Sequence, residues 1–451
     1  MNPDAIGPAG GQHSATGREG RPRSIVLIGT GGSSGRTLAA LEAGLRQALG
    51  DTRFHFIDTQ PFNLRTGGRT AYPGSGERTD TAMEDAGTRR LSSSLTINLL
   101  LNGGPLMMRR LENYAARMLG RRHDAMIMVH DRFYIEQAFV RAAARLGTPS
   151  VLLQEGPFVH IGADTPQSGA LRIKHALAPL LTRSGLVPAI VPYGFAGHQL
   201  LVVPSPAYRQ RFVAAGMAPA RIKVGGVPRY DPLADLRGAD LRGADLRAEA
   251  QPRPSSGPLR LLYLFQPFGE HGKVDPQVAR STQLAMIEGL NRAAHGRDLA
   301  LTIRIHPRST PESVAHLTAA LDMPHDVDPC TDPIEQAIAA HDLVIGHYSS
   351  GLLEAMILSR PVLCIPIPAP AFAERSEAEK QEWMARSGAL LARDGPEIAD
   401  TVQAFDRQAP ALVPLSVLED EIGTIDGQAT ARCAQAVAAM IAEREAGHHG
   451  A

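Results

Sequence analysis

The sequence predicts an α/β protein made of two doubly wound halves, each built on a parallel sheet. Three observations predict it. Short apolar, β-branched runs alternate with helical stretches along most of the 451 residues. Several of those runs stop at Gly, Pro or a charged residue, as buried parallel strands do where they open onto a crevice. The alternation breaks at 231–258 and then restarts.

The first half begins with the run SIVLIGT at 24–30, a buried-strand pattern ending in glycine. The glycine-rich stretch GGSSGRT at 31–37 follows, then a helix over 38–49 and a strand, RFHFID, at 53–58. That is a strand–loop–helix–strand unit. The polar segment 59–94 reads as a long loop or an acceptor-facing excursion. The Leu- and Met-rich stretch 95–108 reads as a core helix. Strands are expected at 124–129, 150–154, 200–203 and 222–225, with helices over 134–146 and 206–215.

Residues 231–258 read as a linker. They hold the near-repeat ADLRG-ADLRG-ADLR at 234–247, followed by Pro252, Pro254 and Pro258. So few copies cannot stack into a solenoid with its own core. The second half has strands at 259–264, 299–305, 342–345 and 361–365. Helices are expected over 277–294, 333–340, 351–359 and about 427–445. Two alternating halves place a ligand cleft between them.

Composition narrows the function. Lys plus Arg and Asp plus Glu both number 46, so the net charge is zero, without the basic footprint of a duplex-binding protein. Three scattered cysteines make neither a disulfide framework nor a zinc spacing. A reducing, cytoplasmic setting is expected. The first 23 residues lack the apolar core of a signal peptide and read as a disordered arm. No run of 18 apolar residues predicts a spanning helix. Peripheral attachment to a membrane stays open.

Four motifs carry chemistry. Gly31, Gly32, Ser33 and Ser34 open a helix whose free N–H groups suit an anion. The loop misses a Walker pattern, because Thr30 and Arg36 stand where Gly and Lys belong. It misses a dinucleotide fingerprint at Ser34. Phosphate or acceptor contact, a plain turn and a divergent nucleotide loop all remain open. Glu155, in LQEGP at 153–157, stands at the ligand-facing end of a strand and suits a general base. Asp131 occupies the equivalent place one strand earlier and competes for that role.

The third motif is IRIHPR at 303–308. Arg304 and His306 alternate onto one strand face, and with Arg308 they form a cationic cluster suited to phosphate. The fourth is GHYSSGLLEAM at 346–356. Ser349 or Ser350 can cap a helix, Gly351 can admit a ligand to the backbone, and Glu354 lies one turn along from Ser350. A carboxylate there can accept from two ribose hydroxyls; a structural cap is the alternative.

Together these elements resemble the GT-B glycosyltransferase superfamily, over about residues 24–446. The resemblance rests on VPSP at 203–206 with VGGVPRYD at 224–231, on RIHP at 304–307 and on SSGLLE at 349–354. It implies two Rossmann-like domains facing a cleft. They would be an acceptor domain over 24–230 and a nucleotide-sugar donor domain over 259–410, joined by the linker 231–258 and followed by a helical segment over 411–451. The Glu-Gly, His-Pro and Ser-Ser elements, in that order, resemble bacterial sialyl- and Kdo-type transferases. Parts of the set are shared with capsule polysaccharide enzymes and CDP-glycerol glycerophosphotransferases.

By that resemblance Glu155 is the base, His306 touches the donor phosphate, Ser349 and Ser350 hold it, and Glu354 takes the ribose. QEG at 154–156 departs from the paired acids of the pattern. The implied activity is sugar transfer from a CMP- or other NDP-sugar to a glycan or glycolipid hydroxyl, in surface polysaccharide synthesis. The nucleotide sugar is a substrate, and no cofactor is implied. Asp240 and Asp245 lie in the expected linker, so metal-independent activity is expected. Two other readings share the fold: a non-hydrolysing UDP-N-acetylglucosamine 2-epimerase, and a non-catalytic sugar-nucleotide binding subunit. A P-loop kinase or sulfotransferase built on 29–37 would leave the second half without a role.

Overall fold

The computed structural model describes residues 22–63, 71–82, 84–89, 95–157, 159–161, 169–184, 186, 191–242, 257–307 and 309–449. Among the described residues, thirteen strands form two all-parallel sheets. In the first, β1 (Arg23–Gly29), β2 (Thr52–Asp58), β3 (Glu77–Asp80), β4 (Ala125–Met128), β5 (Ser150–Leu153), β6 (Leu200–Val203) and β7 (Ile222–Val224) take the order 3-2-1-4-5-6-7. In the second, β8 (Leu259–Leu264), β9 (Leu299–Arg304), β10 (His325–Asp328), β11 (Leu343–Gly346), β12 (Val362–Cys364) and β13 (Leu390–Leu391) take the order 10-9-8-11-12-13.

Each order reverses once, between β1 and β4 and between β8 and β11. Chain crossovers leave opposite ways at a reversal, which opens a crevice at the strand C-termini. The glycine-rich loop and His130 follow β1 and β4 at the first reversal; the motif 346–356 follows β11 at the second. The central strands are buried throughout, as in β4 and β11, because helices cover both faces.

Several elements differ from expectation. The segment 59–94 contains β3, an edge strand paired in register with β2. Its residues, Glu-Arg-Thr-Asp, are all polar, a composition that blunts a sheet edge and hides the strand from a hydrophobic pattern. Within the same segment Tyr72 stacks on Phe56 with ring centroids 4.0 Å apart. The expected linker begins as a helix, Asp231–Arg242, and Leu233 is buried with Val227, Tyr230 and Met356. Residues 243–256 lie outside those described, as does the expected arm up to residue 21. Two helices of the second half, Arg375–Arg386 and Gly395–Ala404, were not expected.

The C-terminal helix, Ala429–His449, crosses back to the first sheet. Cys433, Ala434, Val437 and Ile441 are buried with Ile25, Leu27, Leu41 and Leu45. The Asp231 carboxylate accepts from the Ala429 and Thr430 N–H groups at 2.9 and 2.7 Å and so caps this helix. Gly44 permits the approach: a Cβ there would stand 2.7 Å from Thr430 Cγ2. The Leu415–Ile422 helix adds a second tie, with Tyr208 Oη and Arg211 both donating to Glu421, at 2.8 and 2.9 Å. No described helix is long and apolar enough to cross a membrane.

Candidate functional site

The first wall of the cleft is built at the end of β1. The helix Ser33–Leu49 starts directly after Gly32, whose φ of 71° is left-handed and suits glycine. No side chain caps that helix, so its first N–H groups and positive dipole end stay available to a negative group. Glu155, two residues past β5, lies at this helix start beside the Ser34 side chain, with its Oε2 buried and without a hydrogen-bond partner. Its Oε1 lies 3.4 Å from His130 Nε2, just past β4. Strand order makes these two neighbours, since β4 pairs with β5.

The Glu155 carboxyl is crowded by protein, and that burial alone would raise its pKa. His130, Arg229 and Ser34 outweigh the burial and hold it down at about 2. His130 answers in the opposite sense. Burial disfavours its charged form, but Glu155, with help from Glu136 and Asp131, raises it above the ordinary imidazole value. The His130 side chain is still 41% exposed and Glu155 17% exposed, so a solute in the cleft can reach the pair.

The chain between the halves supplies Arg229, within VGGVPRYD. Its Nη2 donates to Tyr230 Oη at 2.7 Å, and a Cβ on Gly156 would stand 3.3 Å from that same nitrogen. Arg229 Nε is buried with no hydrogen-bond partner. Burial pushes the guanidinium pKa down, but Tyr230, Glu155 and Glu354 together raise it, so Arg229 stays charged between the two carboxylates.

The second wall is the helix Ser350–Ile357. Ser349 is its cap and accepts from Leu352 N at 3.3 Å; Ser350 is exposed at the first turn. Glu354 is 3% exposed. Its Oε1 is 3.5 Å from Arg36 Nη2 of the first wall, and its Oε2 has no hydrogen-bond partner. Burial raises its pKa, with Glu335 adding to the rise and Arg36, Arg229 and Arg304 opposing it. A capping box is absent, because Leu352 rather than Glu354 stands three residues after the cap.

The structure therefore brings Glu155, Ser34 and Glu354 together around Arg229 and Arg36. Other expected residues go elsewhere. Asp131 is fully buried, and its Oδ2 accepts from Gly194 N at 2.9 Å and Ala196 N at 3.4 Å. Through Oδ2 it pins a loop, with His198 Nε2 3.5 Å away, while Oδ1 is buried without a hydrogen-bond partner. Arg304 is also buried; it is paired with Asp328 and donates to the Asp332 carbonyl, so its guanidinium is engaged by the protein. His306 sits just past β9 with its ring edge-on to His271, centroids 5.6 Å apart. Arg308 lies outside the described residues. Gly351 has a packing reason: a Cβ there would come within 2.8 Å of Leu264 and 2.9 Å of Ile334. Gly31 is buried, while Gly32 and Ser33 line the helix start.

Sequence reasoning missed His130 and Arg229 as site residues. His130 was legible as the neighbour of a strand-end acid. Arg229 lies inside VGGVPRYD, an element of the resemblance, but nothing in that motif marked it as a site residue, because its contacts arise only where the two halves meet. Among the described residues no group of three or more His, Cys, Asp or Glu side chains is placed to hold a metal.

No protein-family model matches the sequence, and no curated protein does. Solved structures align over nearly the whole chain. The UDP-GlcNAc 2-epimerase from Methanocaldococcus jannaschii is 14% identical over 92% of this chain and 98% of its own, with a TM-score of 0.53. The fold is GT-B. The MnaA–UDP structure from S. aureus is 12% identical over 92% of this chain and 94% of its own, with a TM-score of 0.51. The wall teichoic acid polymerase TagF is 14% identical over 94% of this chain and 90% of its own, with a TM-score of 0.49. The expected two-sheet architecture with a C-terminal helix stands.

Proposed function

We propose that the protein is a glycosyltransferase that moves a sugar from a nucleotide-activated donor to an acceptor hydroxyl. One observation carries the reading. Glu354, a buried carboxylate with an unpartnered oxygen, opens the second wall, while the reachable His130–Glu155 pair stands on the first. Such a carboxylate suits the vicinal hydroxyls of a ribose, and the free N–H groups of the Ser350 helix suit the adjoining phosphate. The S. aureus MnaA structure of the same fold holds UDP, which supports a nucleotide in this cleft.

In the reaction, the acceptor hydroxyl attacks the anomeric carbon as the bond from that carbon to the phosphate oxygen breaks. The hydroxyl proton goes to His130 Nδ1, and Glu155 steadies the imidazolium through Nε2. This amends the expectation that Glu155 itself takes the proton: a carboxyl held at about 2 is a weak base. Charge on the leaving phosphate is met by the Ser350 helix end and by Arg229. The donor domain is accordingly 259–410 and the acceptor domain 24–230. Surface polysaccharide synthesis is the setting that the motif set favours.

The test is thermal stabilisation by CMP, CDP, UDP, GDP, ADP and NAD, each with and without EDTA. A ligand at about 100 times its Kd adds roughly 2.7 kcal/mol to the native state. Stabilisation by a pyrimidine nucleotide, unchanged by EDTA, is expected. A response to NAD or ADP alone would sink the transferase reading. The epimerase reading keeps a place because a UDP-GlcNAc 2-epimerase shares the fold at a TM-score of 0.53. Incubation with UDP-GlcNAc and no acceptor separates the two: an epimerase changes C2 configuration, and a transferase does not.

A further inference from the structure

We propose that one face of the first half docks on the surface of an anionic lipid bilayer. The face is made by the helix Leu95–Leu101, the turn at Gly103 and Gly104, and the helix Gly169–Arg183. The ends of the two helices meet: the Leu186 carbonyl oxygen is 2.5 Å from where a Cβ on Gly104 would stand. Ile173, Leu177 and Leu180 recur at helical spacing on one side of the second helix, and all three are exposed. Ile97 and Leu101 are exposed on the first helix, and Leu106 is exposed at the start of the helix Pro105–Leu119 that follows the turn. These six side chains are 47–65% exposed, whereas Leu181, one position beyond Leu180, packs inward against the core. The helix therefore has an inner apolar contact and a second, outward apolar row that stands exposed among the described residues.

Charge selects the occupant. Residues 95–122 and 169–186 hold eight Lys or Arg and one acid, Glu112, in a chain whose charges balance overall at 46 and 46. Arg109, Arg110, Arg172 and Arg183 are exposed on these segments. A second copy of this chain would set the same positive surface against itself across a two-fold axis, so self-association is disfavoured. A nucleic acid would match the charge but not the exposed leucines. An anionic bilayer matches both: apolar side chains enter the headgroup boundary while arginines meet lipid phosphates. The inference does not rest on the proposed reaction.

Flotation of the full chain with vesicles tests it. We expect binding to phosphatidylcholine vesicles containing phosphatidylglycerol, little binding to phosphatidylcholine alone, and release at high salt. Replacing the apolar row (Ile173→Ser, Leu177→Ser and Leu180→Ser together) should abolish flotation. Arg172→Gln with Arg183→Gln should weaken it by about fivefold per charge removed. Both variants should keep the wild-type Tm and the wild-type response to nucleotide, which separates loss of docking from unfolding and from failure of the transferase reading. Should the triple variant unfold, the arginine pair decides alone. The proposal is overturned if the wild type ignores anionic vesicles, or if both variants float as it does. It is equally overturned if light scattering shows a wild-type dimer that the triple variant converts to monomer.

Discussion

Two helix N-termini face the cleft, and they are finished in opposite ways. The Ser33 helix has no side-chain cap, and its open end is met by Glu155, a carboxylate of the protein's own. That carboxylate is paired with His130 and held down at about 2. The Ser350 helix is capped by Ser349, yet its carboxylate, Glu354, keeps an oxygen without a partner and is pushed up by burial. Glu155 Oε2 is likewise buried without a hydrogen-bond partner, so the walls differ in charge: neighbours hold Glu155 ionised, and burial disfavours the charged form of Glu354. A buried polar atom with no partner costs about 1–3 kcal/mol, and a ligand that supplies the partner recovers it. The wall that holds its carboxylate ionised suits catalytic machinery, and the wall whose carboxylate is destabilised by burial suits a binding site.

The sharpest way to break this comparison is Glu155→Gln. Turnover should fall by about 10²–10⁴-fold while nucleotide stabilisation persists. The pH–rate profile reads the pair directly. Because the His130 pKa is raised, the wild-type rate should climb with pH only above the ordinary imidazole range, and the variant's limb should move to lower pH. An unmoved limb would show that His130 is not the proton acceptor. Stability follows the same linkage. Glu155 contributes above the ordinary carboxylate range, and that contribution is lost as pH falls towards 2. The acid slope of Tm should flatten in the variant.

Arg304→Gln asks whether the second wall contains a hidden satisfied pair. Leaving Asp328 without its buried partner should cost about 3–5 kcal/mol, seen in denaturant unfolding, while nucleotide affinity changes little. A large affinity loss without destabilisation would restore Arg304 as a phosphate ligand. Glu354→Gln should cost roughly tenfold to a hundredfold in nucleotide affinity, as for a hydrogen bond to a charged group. Because burial already disfavours its charge, the unliganded Tm should hold or rise; a fall in Tm would mean that Arg36 and Arg229 fully stabilise the carboxylate. The smallest effect belongs to a contact outside both walls. Gly44→Ala should cost about 1–3 kcal/mol by pressing the C-terminal helix off the first sheet, with nucleotide affinity unchanged by titration.

Much of the fold was legible because buried parallel strands announce themselves as short apolar runs. LLVV at 200–203 and DLVI at 342–345 needed no tertiary knowledge. β3 was not legible, since an edge strand of Glu, Arg, Thr and Asp carries no apolar pattern. The helix at Asp231–Arg242 was hidden by its repeat, which reads as a linker until Leu233 is seen buried against the second half. Within the site, Glu155 and Glu354 were legible from their places at a strand end and a helix start. Asp131 and Arg304 carried equally good signals. In the structure both turn inward, Asp131 to backbone N–H groups and Arg304 to Asp328, a choice that a strand-end charge makes as readily as turning outward to a ligand.

Sequence by itself determined the alternation, the two glycine-rich helix starts and the chemical types at each strand end. All of these are local: they follow from residue spacing and backbone preference over a few positions. Only the tertiary structure decided which charges meet. Arg229 stands between Glu155 and Glu354, and Arg36 reaches Glu354, although each pair is far apart in the chain. Ionisation follows the partners within a few ångströms, and those partners are set by how two sheets and a returning helix pack, which no local pattern encodes.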